Sequence, residues 1–97
     1  MKKPTNSQTE TLIDQKVQAS TLWMVLIYDD PVNLMHYVTL TIQRVLGYNK
    51  EKAESLMMNV HHKGKAIVWS GNKEKAEFYV QQLHSFQLKA ALEQAWD

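Results

Sequence analysis

The sequence predicts a small α+β domain in which three helices cover one face of a three-stranded sheet. Three short segments are rich in strand-forming residues. Three longer segments carry apolar residues at intervals of three and four, which places those residues on one side of a helix. Glycine, proline and asparagine separate the segments where the chain must turn. The predicted order is β-α-α-β-α-β, which suits two layers packed around one core.

A short acidic junction separates the first strand from the first helix. The strand is predicted over Leu22–Tyr28, where an apolar run ends at Asp-Asp-Pro. Asn33 is predicted to be the N-cap of a helix that runs to Leu46, and Gly47 its left-handed C-terminal cap. The apolar side of this helix is predicted to consist of Leu34, Val38, Ile42, Val45 and Leu46.

The remaining elements are a helix, a strand, a helix and a strand. Asn49 is predicted to cap a second helix that ends at Gly64, and Ala66–Trp69 to form the second strand. Asn72 then caps the third helix, and the alanine-rich segment Leu88–Leu92 forms the last strand. The apolar sides are Ala53, Leu56, Met57 and Val60 in the second helix, and Ala76, Tyr79, Val80, Leu83 and Phe86 in the third.

Length and composition narrow the class of protein. The 97 residues predict one domain, and the absence of cysteine excludes a disulfide framework and a thiolate metal site. A formal net charge of +1 argues against nucleic-acid binding. The apolar run Leu22–Ile27 is too short to span a membrane, which needs about 20 residues. We therefore expect a cytoplasmic protein that binds neither nucleic acid nor membrane.

The first 20 residues differ in character from the rest. They are mostly polar, and Leu12, Ile13 and Val17 are their branched aliphatic residues. Such a segment buries too little apolar surface to offset the entropy lost on ordering. We predict that residues 1–20 form a flexible N-terminal extension and that residues 21–97 form the folded domain.

Polar side chains gather at two junctions between the predicted elements. Asp29, Asp30 and Asn33 precede the first helix, and His61 lies at the end of the second. They could simply favour a helix N-terminus, cap it and bond a carbonyl. If the junctions meet in space, the same groups could bind a free N-terminal amine. His61 and His62 point about 100° apart on a helix, so a histidine metal pair is not predicted.

Two methionines lie close to these polar groups in the sequence. Met35 and Met57 are expected in the core, although methionine also lines pockets that accept apolar side chains of different shapes. The sequence contains no nucleophile motif, phosphate-binding glycine loop or dinucleotide fingerprint. No catalytic activity, cofactor or metal is therefore predicted.

Three segments of the chain resemble the ClpS family of protease adaptors. They read MVLIYDDPVNLMHYV, LMMNVHHKGKAIV and KEKAEFYVQQLHSFQL, and the similarity spans residues 22–93. The resemblance implies an antiparallel sheet packed against helices in the order given above. It also implies a non-catalytic adaptor that binds a free α-amine followed by Leu, Phe, Tyr or Trp. Such N-degron substrates would be delivered to a Clp AAA+ ATPase, with the flexible extension taking part.

The resemblance also assigns roles to individual residues. It places Asp29, Asp30, Asn33 and His61 at the α-amine, and Met35, Val38, Met57, Val60 and Leu88 around the first side chain. Glu74 would face the N-terminal domain of a ClpA- or ClpC-type ATPase. Many members read Asn-Asp-Asp where this chain reads Asp-Asp-Pro. The division of roles between Asp29 and Asp30 is therefore open.

Two other functions stay open from the sequence. A protein-interaction domain of ribosomal-stalk-like α+β build would have a similar core but would not bind N-degrons. An enzyme with an acid and histidine metal site is a more distant alternative. We expect the adaptor, acting as a monomer.

Overall fold

The computed structural model describes residues 22–95 as three strands and three helices. In chain order they are β1 (Trp23–Tyr28), α1 (Met35–Leu46), α2 (Lys50–Lys63), β2 (Lys65–Gly71), α3 (Lys73–Ser85) and β3 (Ala90–Gln94). The predicted α+β class and the predicted order of elements are confirmed. The predicted N-terminal extension, residues 1–20, lies outside the described part of the chain.

The sheet brings three chain segments together at the end where β1 finishes and β2 and β3 begin. Its strand order is β2-β1-β3, and the central strand β1 is antiparallel to both neighbours. The end of β1 therefore lies beside the beginnings of β2 and β3, with Tyr28 opposite Lys65 and Ile27 opposite Ala90. The junction after β1 consequently meets the end of α2 and the turn before β3.

All three helices contribute to one core against β1. Val25 and Ile27 are fully buried, as expected for alternate residues on one face of a strand. The core cluster comprises Val25, Ile27, Ile42, Ala53, Met57, Val60, Val68, Ala76, Leu83 and Leu88. Most of the predicted apolar residues therefore pack where the helical spacing places them. Leu34 is an exception, because 76% of its surface is exposed, and the expectation that Met35 lies in the core is wrong, because 42% of its surface is exposed.

Side-chain or glycine caps are found at four helix ends. The Asn49 side chain accepts the Lys52 N–H at 2.8 Å, and the Asn72 side chain accepts the Lys75 N–H at 2.8 Å. Both predicted N-caps are confirmed. Gly64 ends α2 in the left-handed region at φ 87°, where a Cβ would be strained, and Gly47 ends α1 in the same region.

The predicted start of the first helix is wrong. Helix α1 begins at Met35, and its N-cap is Leu34, whose side chain makes no capping hydrogen bond. Asn33 instead precedes the N-cap, and its Nδ2 donates to the Gln87 carbonyl and the Asp30 carboxylate. The helix therefore starts after Leu34, which explains why Leu34 lies outside the apolar face.

The predicted last strand is displaced by two residues. It was expected over Leu88–Leu92, whereas β3 spans Ala90–Gln94. The Leu88 N–H donates to Leu83 O at 3.1 Å, so Leu88 belongs to the exit from α3 rather than to the sheet. The strand can begin only after this helix end is complete.

Candidate functional site

A cavity of about 310 Å³ lies where the β1–α1 junction, the end of α2 and the turn before β3 meet. This volume is at the small end of the range for ligand sites, about 300–1,000 Å³. Every residue predicted at the α-amine or the first side chain lines it: Asp29, Asp30, Asn33, Met35, Val38, Met57, Val60, His61 and Leu88. Glu74, predicted to face the ATPase, does not.

Backbone hydrogen bonds join the three walls of the cavity. The Tyr28 N–H donates to Lys89 O and the Asp29 N–H donates to Gly64 O, both at 2.9 Å. The end of β1 is thereby held to the turn before β3 on one side and to the end of α2 on the other. The cavity is thus built on hydrogen-bonded elements rather than on a free loop.

The inner part of the cavity is apolar. Met57, Val60 and Leu88 are buried and also belong to the core. Val38 is half-buried, and Met35 stands at the rim with 42% of its surface exposed. This part of the cavity can bury an uncharged side chain, whereas a charged one would lose its hydration there.

Asp30 holds the loop at the mouth of the cavity, its polar end, which is formed by Asp29, Asp30, Asn33 and His61. One of its carboxylate oxygens, Oδ1, accepts the Val32 N–H at 3.0 Å, and its backbone carbonyl accepts the Asn33 N–H at 3.2 Å. Asp followed by Pro31 fits the first two positions of a β-turn, because proline presets the φ that the second position needs. Asp30 thus supports the loop and still has carboxylate lone pairs available for a ligand.

Asn33 connects this loop to the turn before β3. Its Nδ2 donates to Gln87 O at 3.0 Å and lies 3.5 Å from Asp30 Oδ2. Since both partners are acceptors, they orient the amide and leave Oδ1 as its available acceptor.

Asp29 and His61 form the more exposed half of the mouth. His61 Nδ1 lies 3.8 Å from Asp29 Oδ1, and both side chains are nearly half exposed. A neutral imidazole can accept a hydrogen bond from a ligand or donate one to the neighbouring carboxylate. The mouth therefore presents two carboxylates, an amide oxygen and an imidazole above an apolar interior. This combination suits a cation that carries an apolar group.

The sequence-based interpretation missed several lining residues. They are Ile27, Tyr28, Pro31, Leu34 and Lys89. Ile27 and Tyr28 could have been anticipated, because they end the strand that leads directly into the acidic junction. Lys89 gave no such signal, since its place depends on where β3 begins.

Residues 22–95 contain neither a cluster of metal ligands nor a helix that could span a membrane. No three His, Cys, Asp or Glu side chains in this part of the chain gather where they could hold a metal ion. None of its helices is long and apolar enough to cross a bilayer.

Comparison with known proteins identifies the family. The profile of the ATP-dependent Clp protease adaptor protein ClpS matches residues 18–92. The chain belongs to the ClpS family. It is 51% identical over 72 residues to the ClpS adapter of Streptomyces coelicolor, covering 74% of this chain and 75% of the relative. The adapter from Corynebacterium glutamicum (strain R) is 52% identical over 73 residues, covering 75% of this chain and 73% of the relative.

A solved structure shares the fold. Agrobacterium tumefaciens ClpS2, solved bound to L-phenylalaninamide, superimposes with a TM-score of 0.73 at 21% sequence identity. The match covers 78% of this chain and 99% of ClpS2. The predicted antiparallel ClpS-like fold is confirmed. As a ClpS protein, the chain is a non-catalytic adaptor of the Clp protease.

Glu74 lies in a separate part of this ClpS protein. It is exposed in the first turn of α3 and lines a shallow depression with Glu77, Phe78, Val80, Gln81 and Leu92.

Proposed function

We propose that this adaptor binds the free N-terminal amine and bulky apolar first side chain of N-degron substrates. The first residue would be Leu, Phe, Tyr or Trp. The observation that carries the proposal is the single cavity that joins a carboxylate-lined mouth to an apolar interior. The compound bound to A. tumefaciens ClpS2 supports it, because phenylalaninamide presents a free α-amine, a benzyl group and an uncharged amide, as an N-terminal phenylalanine does.

The substrate ammonium would donate to the mouth. Its three N–H groups would donate to Asp30, to either Asp29 or the Asn33 Oδ1, and to a neutral His61. A charge-assisted hydrogen bond contributes about 1.5–3 kcal/mol, and burial of a Leu or Phe side chain contributes a similar amount. After the cost of association, these contributions allow micromolar affinity, about −8 kcal/mol. Such an affinity permits release of the substrate to the protease.

Selectivity follows from the same groups. An acetylated terminus lacks the charge and two of the three N–H donors, so acceptors at the mouth lose their partners. An internal leucine has no ammonium at all. Calorimetric titration tests this with a Leu-initiated peptide, its acetylated counterpart and a Ser-initiated control. We expect the first to bind more tightly than the other two. Equal affinity for all three would refute the proposal and favour a general protein-interaction domain.

Delivery to a ClpA- or ClpC-type ATPase is the second half of the proposed function. Glu74 would contact the N-terminal domain of that ATPase, and residues 1–20 would take part in the transfer. Deleting residues 1–20 should leave peptide affinity unchanged and slow degradation of a Leu-initiated substrate by the cognate Clp protease. Undiminished degradation would show that the extension is dispensable.

A further inference from the structure

Helix α3 ends in a conformation that its sequence does not favour. The Leu88 N–H donates to Leu83 O at 3.1 Å and the Gln87 N–H donates to His84 O at 2.9 Å. These two bonds form a Schellman motif, whose left-handed residue is usually glycine. Here that residue is Gln87, with φ 70°, the only non-glycine residue with positive φ in the part of the chain that the structure describes. A side chain makes this conformation unfavourable, so surrounding contacts must hold it.

Two side chains from elsewhere in the sequence supply such contacts. The Tyr37 hydroxyl donates to Phe86 O at 2.7 Å, and Asn33 Nδ2 donates to Gln87 O at 3.0 Å. Both acceptors are carbonyls at the C-terminal end of a helix, where partial negative charge accumulates. The loop before α1 and the first turn of α1 thus hold two consecutive carbonyls of the same turn.

The next residue in the chain is part of the cavity. Leu88 is 4% exposed and lines the apolar interior, and the carbonyl of Lys89 is bonded to the end of β1. The position of the Leu88 side chain therefore depends on the conformation of Gln87. Tyr37 itself does not line the cavity.

We propose that Asn33 and Tyr37 are positioning residues that hold the turn at Phe86 and Gln87 and thereby place Leu88 against the first side chain of the substrate. The inference rests on the proposed function, in which this cavity receives that side chain. It gives Asn33 a role beyond accepting from the ammonium, and it includes Tyr37 in the determinants of first-residue preference. Loosening the turn weakens the contribution of the first side chain and leaves recognition of the amine intact.

The cleanest test is Tyr37→Phe, with Tyr48→Phe as its control. The Tyr48 hydroxyl also donates to a backbone carbonyl, that of Val68, at 2.7 Å, and Tyr48 does not line the cavity. Losing one such bond at the turn should weaken binding of a Leu-initiated peptide about three- to tenfold. An Ala-initiated peptide should lose less, and Tyr48→Phe should leave both affinities unchanged. Equal losses for both peptides, or wild-type affinity in Tyr37→Phe, would overturn the proposal.

A rescue experiment separates positioning from direct contact by Asn33. Asn33→Ala should weaken binding, and adding Gln87→Gly should restore part of the affinity, because glycine adopts the left-handed conformation without the Asn33 bond. No recovery would show that Asn33 acts through the ammonium alone.

Amide hydrogen exchange provides a test that needs no ligand. Exchange at the Leu88 N–H should accelerate in Tyr37→Phe and in Asn33→Ala, because the turn opens more often. Unchanged exchange would refute the proposal that Tyr37 and Asn33 hold this turn, even if binding is altered. If the wild-type protein binds free and acetylated peptides equally, the proposed function fails, and accelerated exchange at Leu88 would still support the role of Tyr37 and Asn33 in holding the turn.

Discussion

Replacing Asp30 by asparagine separates the two tasks that the structure assigns to this carboxylate. Asp30 accepts the Val32 N–H at 3.0 Å within the loop, and it lines the mouth of the cavity. Asparagine retains a carbonyl oxygen for the Val32 N–H, but it loses the charge and replaces Oδ2, which lies 3.5 Å from Asn33 Nδ2, by an amide donor. A charge-assisted hydrogen bond contributes about 1.5–3 kcal/mol against about 0.5–1.5 kcal/mol for a neutral one. The expected loss of about 1–2 kcal/mol corresponds to about 5- to 30-fold weaker binding.

The stability of the fold should respond differently. Asp30→Asn keeps the loop bond, so its free energy of unfolding should stay within about 0.5 kcal/mol of the wild type. Asp30→Ala removes the acceptor as well and should lower the free energy of unfolding by about 1 kcal/mol. Calorimetry with a Leu-initiated peptide gives the affinity, and urea unfolding gives the stability. If Asp30→Asn bound the peptide with wild-type affinity, the negative charge of Asp30 would not contribute to amine binding.

Three further substitutions probe other parts of the account. Met35→Ala should weaken binding of a Leu-initiated peptide about fivefold in calorimetry by removing apolar contact at the rim; a loss of stability with unchanged affinity would instead make Met35 structural. Asn49→Ala should lower the free energy of unfolding by about 1 kcal/mol and leave peptide affinity unchanged, because it removes only the cap of α2. Burial raises the pKa of Tyr48 above its ordinary value of 10.0, so the folded state holds this proton more tightly than the unfolded chain does. Stability should therefore fall as the pH rises through and above 10, and urea unfolding of Tyr48→Phe should show a shallower fall; an identical slope would contradict the burial effect.

Local rules predicted the fold where one residue decides an element's end. Asn49, Asn72, Gly47 and Gly64 each provide a cap that depends on their own side chain or on its absence. Prediction failed where distant partners compete. Asn33 has a suitable side chain for a cap, but in the fold it precedes the N-cap, and its Nδ2 donates to Gln87 O, 54 residues away. The late start of β3 was also missed because of distant partners. Helix α3 ends at a glutamine rather than a glycine, and side chains from Asn33 and Tyr37 bond the carbonyls of that turn.

The polar and apolar halves of the site were predictable to different extents. Asp29, Asp30 and His61 lie beside breaks in the hydrophobic pattern, where polar residues invite a functional interpretation. Met57 and Val60 are indistinguishable from core residues by spacing, and they are core residues as well. The prediction that they line the cavity came from the family resemblance, not from periodicity. Tyr37 gave no signal, since its bond to Phe86 O exists only in the folded chain.

A crystal structure with a Leu- or Phe-initiated peptide would show whether this cavity holds the first residue of a substrate. We predict that the terminal nitrogen lies at hydrogen-bonding distance, about 2.7–2.9 Å, from a carboxylate oxygen of Asp29 or Asp30. We also predict the first side chain in contact with Met57 and Leu88. A peptide bound on another surface, or bound here through its backbone with its first side chain in solvent, would contradict the account.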